Sequence, residues 1–175
     1  MMKLGARGKA LLEDVEGRRN VAYLDTAGKW TTGIGHLIKP DEQWMINTPL
    51  TDQQVDELFA QDIAWAEEAT RKLFPTVTLQ NQFDALVSFV FNLGEPAVRN
   101  GSLPGLINSG KSPQEISAKW RQYVYSGGVK TPGLVTRRFK ELRLYFAHLA
   151  VAVGLFFVLA VLALAGATAY AVSYG

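Results

Sequence analysis

The spacing of apolar residues changes period twice along the first half of the chain. Leu4, Leu11, Leu12 and Val15 recur at helical spacing, which predicts a helix from about Ala6 to Glu16 with one buried stripe and Gly17 as its end. Val21 to Leu24 and Trp30 to Ile34 are short β-prone runs separated by the turn dipeptide Ala27-Gly28, a predicted hairpin. The helical period returns after Pro49. Thr51 as N-cap and Gln54 three residues later form a capping box, and Val55, Leu58, Phe59, Ile63, Ala66, Leu73 and Phe74 favour one face of a long helix ending before Pro75.

Every element predicted beyond that point is helical. Leu79 to Leu93 carries Phe83, Leu86, Val87, Phe89, Val90, Phe91 and Leu93, too many apolar residues for one stripe, so it reads as a buried central helix stopped by Gly94 and Pro96. Ser102 is the expected N-cap of Leu103 to Ser109, with Gly110 as the stop. Ser112-Pro113-Gln114-Glu115 is a second capping box whose helix buries Ile116, Trp120 and Tyr123 and ends at Gly127-Gly128. Core packing is the better role for Trp120, with sugar binding as its alternative. A last helix runs from about Gly133 to Phe146. The predicted fold class is α+β, predominantly helical.

Charge divides the chain into two materials. Hydrophobic residues make up 48% of it, enough for one core, yet every Lys, Arg, Asp and Glu lies at or before Arg143. The uncharged run Leu149 to Ser173 would span roughly 37 Å as a helix at about 1.5 Å per residue, against a hydrocarbon core of about 30 Å. The expected organisation is therefore a folded domain over 1–146 and a C-terminal transmembrane helix over 147–175; a buried helix of a soluble protein is the alternative. Arg137, Arg138, Lys140 and Arg143 precede this run and no charge follows it, so the positive-inside bias puts the domain in the cytoplasm. The N-terminus lacks an apolar run long enough for a signal-peptide core.

Other chemistries are disfavoured. A net charge of +2 supplies no basic stripe for nucleic acid, and no nucleic-acid partner is expected. The absence of cysteine rules out disulfides and thiolate metal sites, and the two histidines lack helical metal spacing. Neither a phosphate loop nor a dinucleotide fingerprint is present, so no cofactor and no metal are expected.

Acid/base chemistry remains. Glu16 falls at a helix end, where the dipole disfavours its negative charge, Asp25 follows the first strand, and the hairpin returns Thr31 towards Asp25. Two carboxyl groups flanking a bond are what glycoside hydrolysis requires. The plainer alternatives are an exposed helix-end acid for Glu16 and a strand former for Thr31.

Glu16, Asp25 and Thr31, followed by Gly33-Ile34-Gly35-His36-Leu37 and then by Gln82-Phe83-Asp84-Ala85-Leu86, Phe91-Asn92-Leu93-Gly94 and Gly133-Leu134-Val135-Thr136-Arg137-Arg138, resemble the signature of the phage-type lysozymes, the muramidase endolysins. The resemblance implies a two-lobed domain in which the long helix joins a small hairpin lobe to a helical lobe. It implies hydrolysis of the β-1,4 bond between N-acetylmuramic acid and N-acetylglucosamine in peptidoglycan, for host lysis. Glu16 would be the general acid, and Asp25 and Thr31 would position water. Leu37, Phe91, Asn92 and Ser102 match substrate-binding positions. His36 would pair structurally with Asp62. Arg137 or Arg138 would hold the cleft carboxylates, an exposed ion pair being the alternative. Implied partners are peptidoglycan, a holin and, through the tail, the host inner membrane; the place is the host cytoplasm or inner membrane, with action on the periplasmic wall. The apolar tail departs from the family. It keeps open a membrane-active lysis protein whose tail oligomerises or perforates, with the domain as a wall-binding module, and also a tail appended by recombination without a lytic role.

Overall fold

The computed structural model describes residues 1–25 and 28–149. Its first helix, α1 (Ala6–Glu16), ends at Gly17, whose φ of 83° is left-handed and favours glycine. At its start the N-cap Gly5 offers no side chain, and the missing acceptor comes from another helix. Asp84 on α3 (Gln80–Leu93) accepts the Gly5 and Gly8 amides through its two carboxylate oxygens at 2.8 and 3.2 Å, and Gln80 Nε2 donates to the same group at 2.7 Å. Glu67 on α2 (Asp52–Leu73) likewise accepts the Leu4 amide at 2.7 Å. Two carboxylates from elsewhere in the chain thus anchor the helix that carries Glu16.

The hairpin is the first pair of a three-stranded antiparallel sheet. Strand β1 (Arg19–Leu24) pairs with β2 (Trp30–Gly33), placing Tyr23 opposite Thr31, and β2 pairs with β3 (His36–Leu37), placing Thr31 opposite Leu37 and Thr32 opposite His36. A 3-10 helix, Pro40–Ile46, follows. Neither β3 nor this helix was expected, since two residues carry no readable alternation and Pro40 reads as a breaker. The capping box of α2 forms as predicted, Thr51 Oγ1 accepting the Gln54 amide at 3.2 Å and Gln54 Oε1 accepting the Thr51 amide at 2.8 Å. The early turns of α2 bear on the sheet: a Cβ added at Gly33 would lie 3.6 Å from Leu58 and 3.8 Å from Val55.

Helix α3 is the core of the second lobe, buried continuously from Phe83 to Val90 and packed against α1, α2 and α7 (Pro132–Tyr145). Fully burying each of its large apolar side chains is worth about 1.5–3 kcal/mol. Helices α4 (Glu95–Arg99), α5 (Leu103–Asn108) and α6 (Pro113–Trp120) complete the layer. Trp120 is fully buried, packed edge-on against Tyr145 and tilted against Phe89.

Two expectations are corrected. Gly127-Gly128 does not end α6, which stops at Trp120; with φ of 55° and 81° the pair forms the turn between β4 (Tyr125–Ser126) and β5 (Val129–Lys130). Two consecutive positive-φ residues are what a tight hairpin turn demands. Ser102 occupies the N-cap position of α5, but its backbone is helical (φ −85°, ψ −9°) and its side chain makes no capping bond, because side-chain capping needs an extended residue.

Met1–Tyr145 forms one compact unit. Among the described residues no helix is long and apolar enough to cross a membrane. The expected span over Leu149 to Ser173 lies outside the described residues, Leu149 excepted.

Because Asp84 serves two helix-terminal amides in a buried setting, Asp84→Ala is expected to cost about 1–3 kcal/mol. A urea unfolding midpoint equal to wild type would show that the start of α1 does not depend on it.

Candidate active site

Glu16 is held from two sides. Gly35, in the turn between β2 and β3, approaches so closely that a Cβ there would lie 3.6 Å from both Glu16 Cβ and Oε2, and its φ of 72° also disfavours a side chain. From α7, Arg137 Nη1 donates to Glu16 Oε1 at 2.5 Å. The carboxylate keeps 24% of its side chain open to solvent, while Arg137 keeps only 6%. Arg137 is itself fixed: its Nε donates to Glu141 Oε1 at 3.1 Å, and its Nη2 to the Ser88 carbonyl at 3.0 Å. Of the two alternatives left open for the arginine pair, the exposed ion pair is excluded, since both Arg137 and Arg138 are buried.

Asp25 and Thr31 meet through Lys29. The Lys29 amide donates to Asp25 Oδ1 at 2.8 Å, and the Lys29 carbonyl accepts both the Asp25 amide at 2.9 Å and the Thr31 hydroxyl at 3.2 Å. Both side chains are therefore tied to the backbone of Lys29. Thr31 is only 3% exposed, because it sits mid-sheet between Tyr23 and Leu37, whereas Leu37 is exposed.

The other predicted site residues lie on the helical lobe. Phe91 stacks on Trp65 of α2 with ring centroids 6.0 Å apart. Asn92 accepts a bond from Arg138 Nη2 at 2.7 Å, which joins it to the buried acid Glu141. Ser102 lies at the start of α5. Sequence reasoning missed Glu141, Ser88 and Trp65. Glu141 stands four residues from Arg137 and three from Arg138, a spacing that could have marked an ion-pair cluster.

His36, only 3% exposed, makes two contacts to acids. Its Nδ1 lies 2.8 Å from Asp62 on α2 and its Nε2 2.8 Å from Glu42 in the 3-10 helix. The Asp62 pairing is the expected one, whereas Glu42 was missed along with its helix. Hydrogen bonding to Asp62 above all, then to Glu42, raises the His36 pKa despite its burial. Against the cost of its own burial, the Lys39 amide and His36 hold Glu42 below its ordinary range. The ring thus clamps β3 to α2 and to the 3-10 helix.

Residues 13–141 match the model of the phage lysozyme family. The chain belongs to that family. It is 32% identical over 149 residues to the endolysin of Acyrthosiphon pisum secondary endosymbiont phage 1, covering 82% of this chain and 98% of that protein. The crystal structure of a P22 lysozyme mutant is similar with a TM-score of 0.73 at 29% identity, over 83% of this chain and 99% of that one. The muramidase domain of SpmX from Asticcacaulis excentricus is similar with a TM-score of 0.70 at 30% identity, over 83% of this chain and 98% of that one. The fold of this chain is accordingly lysozyme-like, mostly helical with a small β-hairpin, and its activity is that of a glycosidase.

The His36 clamp carries a pH signature. His36, with its pKa raised above the ordinary 6.5, contributes stability that is complete below about that pH and lost as pH rises through the higher folded value. Glu42, held below 4.5, contributes stability present above that value and lost as pH falls through its lower folded value. Melting temperatures from pH 4 to 9 should therefore show a loss above about pH 6.5 that Asp62→Asn flattens. An identical slope in the variant would remove the clamp from the stability of this protein.

Proposed function

We propose that the chain is an endolysin that hydrolyses the β-1,4 bond between N-acetylmuramic acid and N-acetylglucosamine in bacterial peptidoglycan, with Glu16 as general acid and Asp25 and Thr31 positioning water. The observation that carries this is the pairing of a carboxyl fixed between Gly35 and Arg137 with a second carboxyl and a hydroxyl tied to one residue, Lys29, in the adjoining hairpin. Glu16 donates its proton to the glycosidic oxygen as the bond to the anomeric carbon breaks. A water on the opposite face attacks that carbon and gives its proton to Asp25, while Thr31 orients it. Such a displacement inverts the anomeric centre and needs a carboxyl separation of about 6.5–9.5 Å to hold the water. Leu37, Phe91, Asn92 and Ser102 are proposed as contacts to the sugar chain. The exposed Leu37 and the Trp65-backed Phe91 offer apolar surface, and Asn92 an amide held by Arg138.

Residues 1–146 are the proposed catalytic domain and 147–175 a membrane helix. Before release the enzyme resides in the host cytoplasm or at the inner membrane, and it reaches the periplasmic wall with the help of a holin. A second reading, a lysis protein whose tail perforates the membrane while the domain binds the wall, draws its support from the uncharged run after Arg143.

Glu16→Gln should fold normally and lose about a hundredfold to ten-thousandfold in muropeptide release, because an amide cannot supply the proton. More than half of wild-type activity with unchanged thermal unfolding would exclude Glu16 as the acid, whereas a wild type that releases no muropeptides would favour the wall-binding reading. Proton NMR of the first product formed should show the inverted anomer, and a retained anomer would make Asp25 a nucleophile rather than a base. Thr31→Ala should lower turnover, and an unchanged rate would take Thr31 out of the site. The full chain should stay with membranes after alkaline washing; recovery in the supernatant would refute the membrane helix.

A further inference from the structure

Glu141 is a fully buried carboxylate one residue removed from the general acid. Its Oε1 accepts from Ser88 Oγ at 2.9 Å, Arg138 Nη2 at 3.0 Å and Arg137 Nε at 3.1 Å, and its Oε2 accepts from Trp120 Nε1 at 2.9 Å. Arg137 joins this acid to Glu16, since one guanidinium donates Nε to Glu141 and Nη1 to Glu16. That arrangement bears on acid catalysis, because the proposed reaction needs Glu16 protonated while a cation lies against it.

We propose that Glu141 is a positioning residue and counter-charge for Arg137: it orients the guanidinium towards Glu16 and offsets its charge, so that Glu16 still binds a proton at working pH. The inference rests on Glu16 being the general acid. With Glu16 ionised, the cluster of Glu16, Arg137, Arg138 and Glu141 is neutral, and protonating Glu16 leaves a single positive charge. Without the charge of Glu141 the same protonation would leave two positive charges in a buried region, where attraction and repulsion are weakly screened.

Among the described residues, the other nearby carboxylates are bonded to groups other than Arg137. On α1, Asp14 pairs with Lys140 at 2.7 Å and Glu13 with Arg18 at 2.9 Å. On α3, Asp84 serves the Gly5 and Gly8 amides, and Ser88 is neutral. On α6, Trp120 faces Glu141, while Lys119 lies over the Tyr123 ring. From the hairpin, Asp25 is engaged by the Lys29 amide. Burial pushes the Glu141 carboxyl up, with Arg138, Arg137 and the Trp120 and Ser88 donors opposing it. Burial also lowers Arg138 to about 10, so that it remains a cation at neutral pH.

The test compares pH–rate profiles of the full-length wild type, Glu141→Gln and Glu141→Asp on purified peptidoglycan, with carbon-13 NMR titration of the Glu16 carboxyl in each. Glu141→Gln should move both the Glu16 titration and the high-pH limb of activity down by about one unit. Glu141→Asp, which keeps the charge, should move them back towards wild type. A Glu16 titration and limb unchanged in Glu141→Gln overturn the proposal. Should that variant not fold, the wild-type carboxyl titration decides: Glu141 must remain ionised throughout the range in which Glu16 titrates, and a protonated Glu141 there overturns the proposal. The Glu16 titration is read without activity, so failure of the counter-charge is distinguishable from failure of Glu16 as the acid, which Glu16→Gln reports.

Discussion

The carboxylate of Glu141, wholly removed from water between two guanidiniums, is the constraint on which the helical lobe and its half of the active site depend. It ties α7 to α3 through Ser88 and to α6 through Trp120, and it fixes the arginine that reaches Glu16 on α1. Burying such a group contributes little net stability, because desolvation consumes most of the Coulombic gain, but removing one partner leaves an uncompensated charge and costs about 3–5 kcal/mol. The cluster therefore specifies how four helices meet. Its satisfaction is incomplete: Arg138 Nε lies 2.9 Å from Glu141 Oε2 without hydrogen-bond alignment, and Nη1 lacks a hydrogen-bond partner among the described residues. The Phe89 ring, 4.8 Å from the Arg138 guanidinium carbon, offers a cation–π contact as partial compensation.

The small lobe is organised by a different device. Its sheet is too short to bury a core of its own, and it is held to α2 by Val55 and Leu58 beneath Gly33 and by the His36 ring between Asp62 and Glu42. Gly35 then lets the β2–β3 turn lie against Glu16. The site is consequently divided. The proposed acid, Glu16, belongs to α1, anchored by Asp84 and Glu67, while Asp25 and Thr31 belong to the hairpin and are held at Lys29.

Elements whose signals are local were legible in the sequence. The end of α1 at Gly17, the capping boxes of α2 and α6, the apolar density of α3 and the hairpin bearing Asp25 and Thr31 all follow from spacing and turn chemistry over a few residues. Short elements were not. Strand β3 has two residues, and Gly127-Gly128 reads equally as a helix stop or a hairpin turn until β4 and β5 are seen to pair around it. Ser102 shows that a capping residue type does not make a cap when its backbone arrives helical.

What the sequence determined by itself was the longer elements, the family signature and the identity of the candidate acid and its hairpin partners, because periodicity, capping and turn preference act between near neighbours. What only the tertiary structure decided was the assignment of charges to one another. Asp84 finds the start of α1 from 79 positions away, and Arg137, already bonded to Glu141 on its own helix, finds Glu16 across 121. The physical reason is that a buried charge takes whichever counter-charge the packing of helices delivers within hydrogen-bond reach, and that delivery depends on how whole elements cross rather than on any spacing along the chain.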